Sequence, residues 1–161
     1  MKVHSQVGIV AFSLVGAVLL ALPVTARAQG TSACQDRVTS GGWINGTPSG
    51  GFANFSAAGG TIQGSLVGSL TYVDADAGLE VESTAVTDYT VLDSSCRQIT
   101  YDVTINGDPG FTAVVTVCDN GEPGTNDTFR IELSNGYSAG GDLASGQPGG
   151  GDIQLHVTDC P

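Results

Sequence analysis

The chain has 161 residues and is strongly acidic, with 16 aspartate and glutamate residues, five lysine and arginine residues and a net charge of −11. This length suits one domain with its own core. A negatively charged surface repels nucleic acid phosphates and anionic lipid headgroups, so we expect no nucleic acid partner and no anionic membrane partner.

The N-terminal segment has the features of a secretory signal peptide. An apolar run from Val7 to Leu22 follows a positively charged start, and Ala26-Arg27-Ala28 has the small-x-small pattern that signal peptidase accepts. We predict that residues 1–28 are a signal peptide and that residues 29–161 form a single secreted domain, extracellular or periplasmic. The apolar run is too short and too early for a transmembrane helix, so no transmembrane segment is expected after cleavage.

Cleavage after residue 28 makes the protein more acidic. All 16 acids lie beyond this point, but only the three arginines Arg37, Arg97 and Arg130 do, so the processed chain has a net charge of −13 and no lysine. Such a surface attracts divalent cations, and it equally keeps a secreted protein soluble. The charge alone does not distinguish these roles.

Short β-strands are predicted along the whole processed chain. Helical periodicity is hard to find, glycine is abundant, and β-branched residues dominate the apolar set. Turn signals such as Gly59-Gly60, Asn106-Gly107 and Pro109-Gly110 separate the apolar segments. We therefore predict an all-β fold, an antiparallel, immunoglobulin-like β-sandwich of about eight or nine short strands. The candidate strands are Gly42–Ile44, Gly51–Ser56, Gly64–Val73, Glu80–Leu92, Arg97–Ile105, Phe111–Cys118, Thr128–Leu133, Tyr137–Leu143 and Asp152–Val157.

The clearest hairpin runs from Cys96 to Cys118, with apolar residues alternating along both strands. A register that places Tyr101 opposite Ala113 also places Cys96 opposite Cys118. Directly opposed residues have Cα atoms about 4.5–5.5 Å apart, within reach of a disulfide, whereas a slip of one pair separates them to about 7–8 Å. We therefore predict a Cys96–Cys118 disulfide across this hairpin.

Four cysteines remain after processing, and an even number in a secreted chain predicts two disulfides. The Cys96–Cys118 bond leaves Cys34 and Cys160 to join the two ends of the processed chain. Pairing of Cys34 with Cys96 or Cys118 remains the alternative. The chain has no CxxC pair and the processed part has one histidine, His156, so the ligand spacing of a zinc site is absent.

A calcium site is the metal hypothesis that the sequence offers. The candidate ligands Asp119, Glu122, Asn126 and Asp127 fall in one loop between strands, and calcium prefers oxygen ligands of this kind. The spacing is not that of an EF-hand, because Gly121 occupies the third position. The favoured alternative is a hairpin loop whose side chains satisfy local backbone groups.

Asp74 and Asp76 form a second small acidic cluster in the segment YVDADAG. These carboxylates would add ligands to the calcium site if they lay beside the first loop. A solvated turn is the favoured interpretation.

No catalytic residue is assigned. His156 is predicted on the polar face of the last strand, and no GxSxG motif or free thiol accompanies it. Glycoside cleavage uses a pair of carboxylates, and among 16 acids some pair will always look suitable. Such a pair is therefore uninformative unless the distance between its carboxylates is known. Aromatic side chains are candidate stacking platforms for a carbohydrate, although Trp43 is predicted to be a core anchor of the first strand. These aromatic residues are Trp43, Tyr89, Tyr101 and Tyr137.

Four segments resemble a bacterial secreted domain with a VTGGGWI start and a D-x-GEPG-x-x-D-x-F-x-I finish. They are VTSGGWING, GSLTYVD, GFTAVVTVCDNGEPGTNDTFRIELSNGYSAGGDL and GGGDIQLH, and they span Val38 to His156. The glycine-rich stretch Gly146–Gly151 departs from the family, which has a shorter turn there. The resemblance implies an all-β extracellular module that occurs alone or beside immunoglobulin-like modules in surface proteins, and it transfers no catalytic residue.

Two functional hypotheses follow. The first is a secreted or cell-surface non-catalytic structural or binding module, stabilised by calcium if the acidic loop binds it, with a cell-surface or carbohydrate ligand. The alternative is a small secreted hydrolase that uses His156 or an acid pair, or a carbohydrate-binding module.

Overall fold

A computed structural model describes residues 34–124, 126–143 and 150–158 of the chain. The predicted signal peptide, its cleavage site and Cys160 lie outside these residues. The described residues form nine β-strands and no helix. The strands are β1 (Gln35–Ile44), β2 (Ala53–Ile62), β3 (Ser65–Asp74), β4 (Leu79–Val91), β5 (Cys96–Ile105), β6 (Asp108–Cys118), β7 (Thr128–Leu133), β8 (Ser138–Asp142) and β9 (Gly151–Thr158).

All nine strands belong to one antiparallel sheet with the order β8-β7-β6-β5-β4-β3-β2-β1-β9, curled into a half-barrel. Each strand from β1 to β8 pairs with its neighbours in the chain, and β9 returns to pair with β1. The all-β, antiparallel fold is confirmed. The sandwich and its immunoglobulin-like character are not confirmed, because the strands form a single sheet. Alternation along a strand shows which face is apolar, but it does not show which strands become neighbours.

The end of β2 differs from the prediction. Gly59-Gly60 was expected to be a turn, but β2 continues through it to Ile62, and the turn falls at Gln63 and Gly64, with φ of 51° and 78°. Gly59 lies within the strand, and a Cβ atom there would be 2.8 Å from side-chain atoms of Ile99 on β5. The glycine therefore provides space for a core side chain.

The β5–β6 hairpin turns at Asn106-Gly107, whose φ angles of 51° and 85° are those that a two-residue turn requires. The predicted turn at Pro109-Gly110 is wrong, because β6 already begins at Asp108. A proline is tolerated at the start of a strand, where its missing N–H group is not needed by the ladder.

The predicted register of this hairpin is confirmed. Tyr101 pairs with Ala113, and Cys96 pairs with Cys118 and forms the disulfide. This bond removes the alternatives that joined Cys34 to either cysteine. The Cys34–Cys160 prediction concerns a residue outside the described part of the chain.

The core lies on the inner face of the curled sheet. Phe55 on β2 stacks on Phe129 on β7 with ring centroids 3.8 Å apart, and Tyr72 on β3 lies 6.1 Å from the same ring. β2 and β7 are far apart in the strand order. The curl of the sheet therefore brings distant strands into one core.

Candidate functional site

The predicted calcium loop connects β6 and β7. Asp119, at its start, accepts a hydrogen bond from the N–H of Gly121 at Oδ1 and one from the N–H of Leu155 at Oδ2, both at 3.1 Å. Leu155 belongs to β9, the last strand of the sheet. This carboxylate therefore joins the loop to an edge strand.

Asp127, at the other end of the loop, also joins the loop to β9, and it is fully buried. Its Oδ1 accepts the N–H of Asn120 and its Oδ2 accepts the N–H of Ile153, both at 2.8 Å. Ile153 and Leu155 alternate along the edge of β9 that faces away from β1. Two carboxylates thus occupy backbone donors that a neighbouring strand would otherwise take.

The other two candidate ligands are exposed. Glu122 Oε1 lies 3.4 Å from Nε2 of Gln154, and the main-chain oxygen of Asn126 accepts a hydrogen bond from the Asn120 side chain. Within the described ranges, no group of three or more His, Cys, Asp or Glu side chains is arranged to hold a metal ion. Calcium binding at this loop stays a prediction.

Asp74 lies at the end of β3 and is fully buried, in a cluster separate from this loop. Ser49 Oγ donates to the carboxylate at 2.8 Å, the Tyr137 hydroxyl donates to it at 2.8 Å, and the N–H of Ala77 lies at 3.1 Å. Because Tyr137 donates its proton to Asp74, the hydroxyl of Tyr72, 2.7 Å away, donates to Tyr137.

These contacts set the ionisation of the cluster. Burial raises the pKa of Asp74, but the hydrogen bonds from Ser49, Tyr137 and the backbone outweigh burial and hold the pKa below its usual value. Burial raises the pKa of Tyr72 to about 12. Asp74 is therefore an ionised acceptor that ties the loop after β1 to β3 and the start of β8.

A second buried cluster lies at the opposite end of β1. Arg97 on β5 donates to both carboxylate oxygens of Asp36, at 2.9 and 3.0 Å, and Tyr89 on β4 donates to Oδ1 at 2.6 Å. Arg97 also donates to the main-chain oxygens of Asp93 and Cys96. Burial raises the pKa of Asp36, but these donors lower it to below its usual value. The cluster clamps β1 against β4 and β5.

His156 forms one polar contact that bears on catalysis. Its Nε2 lies 2.9 Å from Oγ1 of Thr39 on the neighbouring strand β1, and both residues are half-buried. A hydroxyl beside an imidazole is the arrangement of a nucleophile and its base. A shallow depression beside Thr39 is bordered by Asp152 and Gln154.

The aromatic residues are placed differently from the prediction. Tyr101 is buried, and the hydroxyls of Tyr89 and Tyr137 are engaged in the buried clusters. Trp43 is not a core anchor, because the next residue, Ile44, fills that role. Trp43 lies half-buried on the outer face, with its ring centroid 5.0 Å from that of Phe52, which is 58 % exposed. The sequence could have shown this, because Val38 and Ile44 are an even number of residues apart and so share the inner face of β1, which places Trp43 on the outer face.

One surface feature was missed from the sequence, although its signal is plain there. Residues 38–73 contain no charged side chain, although the whole chain has 21 charged residues. They supply most of β1, all of β2 and β3 up to its last residue. The outer face of these strands is therefore uncharged beyond Arg37. Exposed acids lie instead on other strands, at Glu80, Glu82, Asp102 and Glu132.

No protein-family model, curated protein or solved structure matches this chain. The resemblance to the secreted domain therefore stays an expectation. Among the residues that the structure describes, no helix has the length and apolar character needed to span a membrane.

Proposed function

We propose that this protein is a secreted or cell-surface, non-catalytic binding module that uses the outer face of β1–β3 as its contact surface. The observation that supports this is the segregation of charge. Residues 38–73 are uncharged, whereas exposed acids lie on β4, β5 and β7.

Charge segregation matters because a charged side chain loses its hydration when a partner covers it. Interface centres are correspondingly depleted of charged residues. The outer face of β1–β3 carries small polar residues such as Thr39, Ser56 and Ser69 and no acid, so its desolvation costs less than that of the acidic strands. Trp43 and Phe52 add an aromatic anchor of the kind that dominates binding energy.

A neutral carbohydrate is one ligand class that suits this surface. Aromatic rings contact the apolar faces of sugars, and hydroxyl and amide groups around them hydrogen-bond the sugar hydroxyls. Asn54 is exposed and lies directly opposite Trp43 on β2. The carbohydrate-binding alternative therefore uses the same surface as the general proposal. The two differ only in the ligand that binds there.

The test uses Trp43 as a reporter, because it is the only tryptophan in the chain. Its fluorescence is followed while the protein is titrated with neutral polysaccharides, acidic polysaccharides and a cell-envelope fraction. We expect a saturable change with a neutral ligand or envelope component and a loss of affinity in Phe52→Ala. Val91→Ala, which trims another exposed apolar side chain, is the control.

Saturable binding that Phe52→Ala leaves unchanged would place the contact elsewhere and contradict the proposal. The absence of binding to every fraction would contradict it as well. A response to acidic polysaccharides alone would contradict the role of charge segregation.

Calcium stabilisation is tested separately. Asp119 and Asp127 each accept one β9 N–H group, and the remaining lone pairs of these carboxylates are available to a calcium ion. Calcium would then raise the melting temperature relative to chelator, and the Asp119→Ala, Asp127→Ala double variant would lose this rise. An unchanged melting temperature in millimolar calcium would contradict the hypothesis.

The hydrolase is the second candidate, supported by the contact between Thr39 and His156. A Thr nucleophile would lose activity in Thr39→Val and in His156→Gln, while folding and the Trp43 signal remain. Hydrolysis of ester and glycoside substrates that survives both substitutions would remove this candidate.

The extracellular location rests on the N-terminal sequence. Export from a bacterial host followed by N-terminal sequencing is expected to give Gln29 as the first residue. A chain that stays unprocessed in the cytoplasm would contradict the proposed location.

A further inference from the structure

The ladder between β3 and β4 is short, and it leaves an open edge along the first half of β3. The two strands pair only over Thr71–Asp74 and Leu79–Glu82. Beyond these residues β4 follows β5, with irregularities between Ser83 and Ala85 and again between Val86 and Asp88. The first half of β3, Ser65–Leu70, therefore pairs with β2 alone among the described strands.

The backbone direction on this edge follows from one hydrogen bond. The N–H of Leu70 donates to Oγ of Ser83 at 2.7 Å, so it points away from β2. In an antiparallel strand every second residue directs its N–H and C=O to the same side. Leu66 and Gly68 therefore present their backbone groups on the open edge, and no strand of the described chain pairs with them there.

This edge lacks the protection that the other edges have. Asp119 and Asp127 occupy donors on β9, and β8 has only five residues. By contrast, Ser65–Ser69 is exposed and carries no charge or proline, the features that usually prevent edge-to-edge pairing. Leu66 and Val67 on it are 42 % and 36 % exposed.

We propose that this edge pairs with the same edge of a second copy of the chain, antiparallel and around a two-fold axis at Val67. The segment SLVGS is self-complementary in this arrangement. Ser65 lies opposite Ser69 of the second copy, and Leu66 lies opposite Gly68 of the second copy, where no side chain competes for the space. Leu66 and Gly68 are also the residues with open backbone groups, so each such pair exchanges both of its N–H···O bonds.

Electrostatics favours this edge over other surfaces of the molecule. Two copies of a strongly acidic chain repel each other wherever their acids approach. The stretch 38–73 is uncharged, so the paired segments Ser65–Ser69 themselves bring no like charges together. A two-fold contact also closes after two copies and leaves no further edge of this kind.

Pairing would join the two uncharged outer faces into one continuous surface, with β3 of each copy at its centre. This inference does not rest on the proposed function. Pairing through the edge is measured without any ligand, and failure of ligand binding would leave it unaffected.

The test is sedimentation velocity of the exported protein over a wide concentration range, with Val67→Lys as the disrupting variant. We expect a shift from monomer to dimer in the wild type and loss of this shift in Val67→Lys, because two lysines would face each other at the axis. Thr112→Lys, which adds the same charge at an exposed position on β6, is the control and retains the shift.

Amide hydrogen exchange provides a measurement that does not depend on a variant. Exchange at Leu66 and Gly68 of the wild type slows as the dimer fraction rises. A monomer at all concentrations, or a dimer whose exchange at these amides is unchanged, would overturn the proposal. Protection of these amides only by an added unrelated peptide, with the chain still monomeric, would overturn the second copy as the occupant.

Discussion

Asp36, Asp74 and Asp127 each accept hydrogen bonds from more than one segment of the chain. Asp36 joins β1 to β4 and β5, and Asp74 joins the loop after β1 to the start of β8. Asp127 joins the β6–β7 loop to β9. In each case a short acidic side chain satisfies donors that no strand ladder reaches, so removal leaves those donors buried and unpaired.

The lowered pKa of Asp74 predicts acid sensitivity. A carboxylate whose folded pKa lies below its unfolded value of 3.8 contributes stability above that value, and this contribution is lost as pH falls through the folded pKa. We expect the free energy of unfolding to fall between about pH 5 and about pH 2. Asp74→Asn should be less stable than wild type at pH 7, and the difference should narrow in acid.

Urea unfolding followed by circular dichroism at several pH values measures this difference. Asp108→Asn, at an exposed position, is the control and should follow the wild type. A difference between Asp74→Asn and wild type that stays constant with pH would show that the Asp74 charge is not involved.

At the scale of elements, β2 and β5 fit together through one close approach. Gly59 leaves space for Ile99, which is fully buried. Gly59→Ala should reduce the free energy of unfolding by about 1–3 kcal/mol, because the new methyl group overfills the core. Ile99→Ala alone should cost about 2–5 kcal/mol through the cavity it creates.

The double variant distinguishes packing from a general loss of stability. Gly59→Ala in the Ile99→Ala background should cost less than in the wild type, because the obstructing atoms are gone. The free energies from urea unfolding give this coupling directly. Additive costs would contradict the proposed contact.

The hydrogen bonds from β9 to Asp119 and Asp127 should contribute to the stability of the protein. Asp127→Ala leaves the N–H groups of Asn120 and Ile153 without their acceptor, and a loss of about 3 kcal/mol is expected. Amide exchange at Ile153 should accelerate. Asp108→Ala is the matched exposed control.

Retention of slow exchange at Ile153 in Asp127→Ala would mean that the hydrogen bond to Asp127 does not protect this amide, and it would contradict the prediction. Asp119→Ala should have a smaller effect than Asp127→Ala, because Asp119 is less buried and the N–H of Leu155 is half-buried.

At the scale of the whole molecule, all four tyrosines have a pKa raised mainly by burial. A group whose folded pKa lies above its unfolded value of about 10 contributes stability below that value and loses it as pH rises through the folded pKa. We therefore expect little tyrosinate absorbance near pH 10 in the folded protein. Unfolding in urea at the same pH should restore ordinary titration.

Absorbance at the tyrosinate band during alkaline titration, with circular dichroism on the same samples, tests this. We expect tyrosinate absorbance and the loss of β-structure to appear together. Tyrosinate absorbance near pH 10 with intact β-structure would show that the hydroxyls are more accessible than the described contacts indicate.

The nine strands could be predicted from the sequence because alternation of apolar and polar residues is local. The pairing of Cys96 with Cys118 followed from the apolar alternation along both strands. The turn alone would have given another register, because Ile105 pairs with Asp108 and an irregularity between Val103 and Ile105 shifts the pairing by one residue. The start of β1 could not be predicted, because β1 begins at Gln35 and not at Gly42. The end of β2 could not be predicted either, because the pair Gly59-Gly60 is equally suited to a turn and to a strand that leaves room for Ile99.

Local sequence patterns predict an all-β chain of about eight or nine strands and the register of the Cys96–Cys118 hairpin, since neighbouring residues govern these properties. The three-dimensional arrangement shows that all described strands join one curled sheet, that Asp119 and Asp127 hold β9, and that Trp43 faces outward. These features depend on contacts between residues far apart in the chain. The partner of a buried carboxylate or of an edge strand is set by the curl of the sheet, which no local pattern encodes.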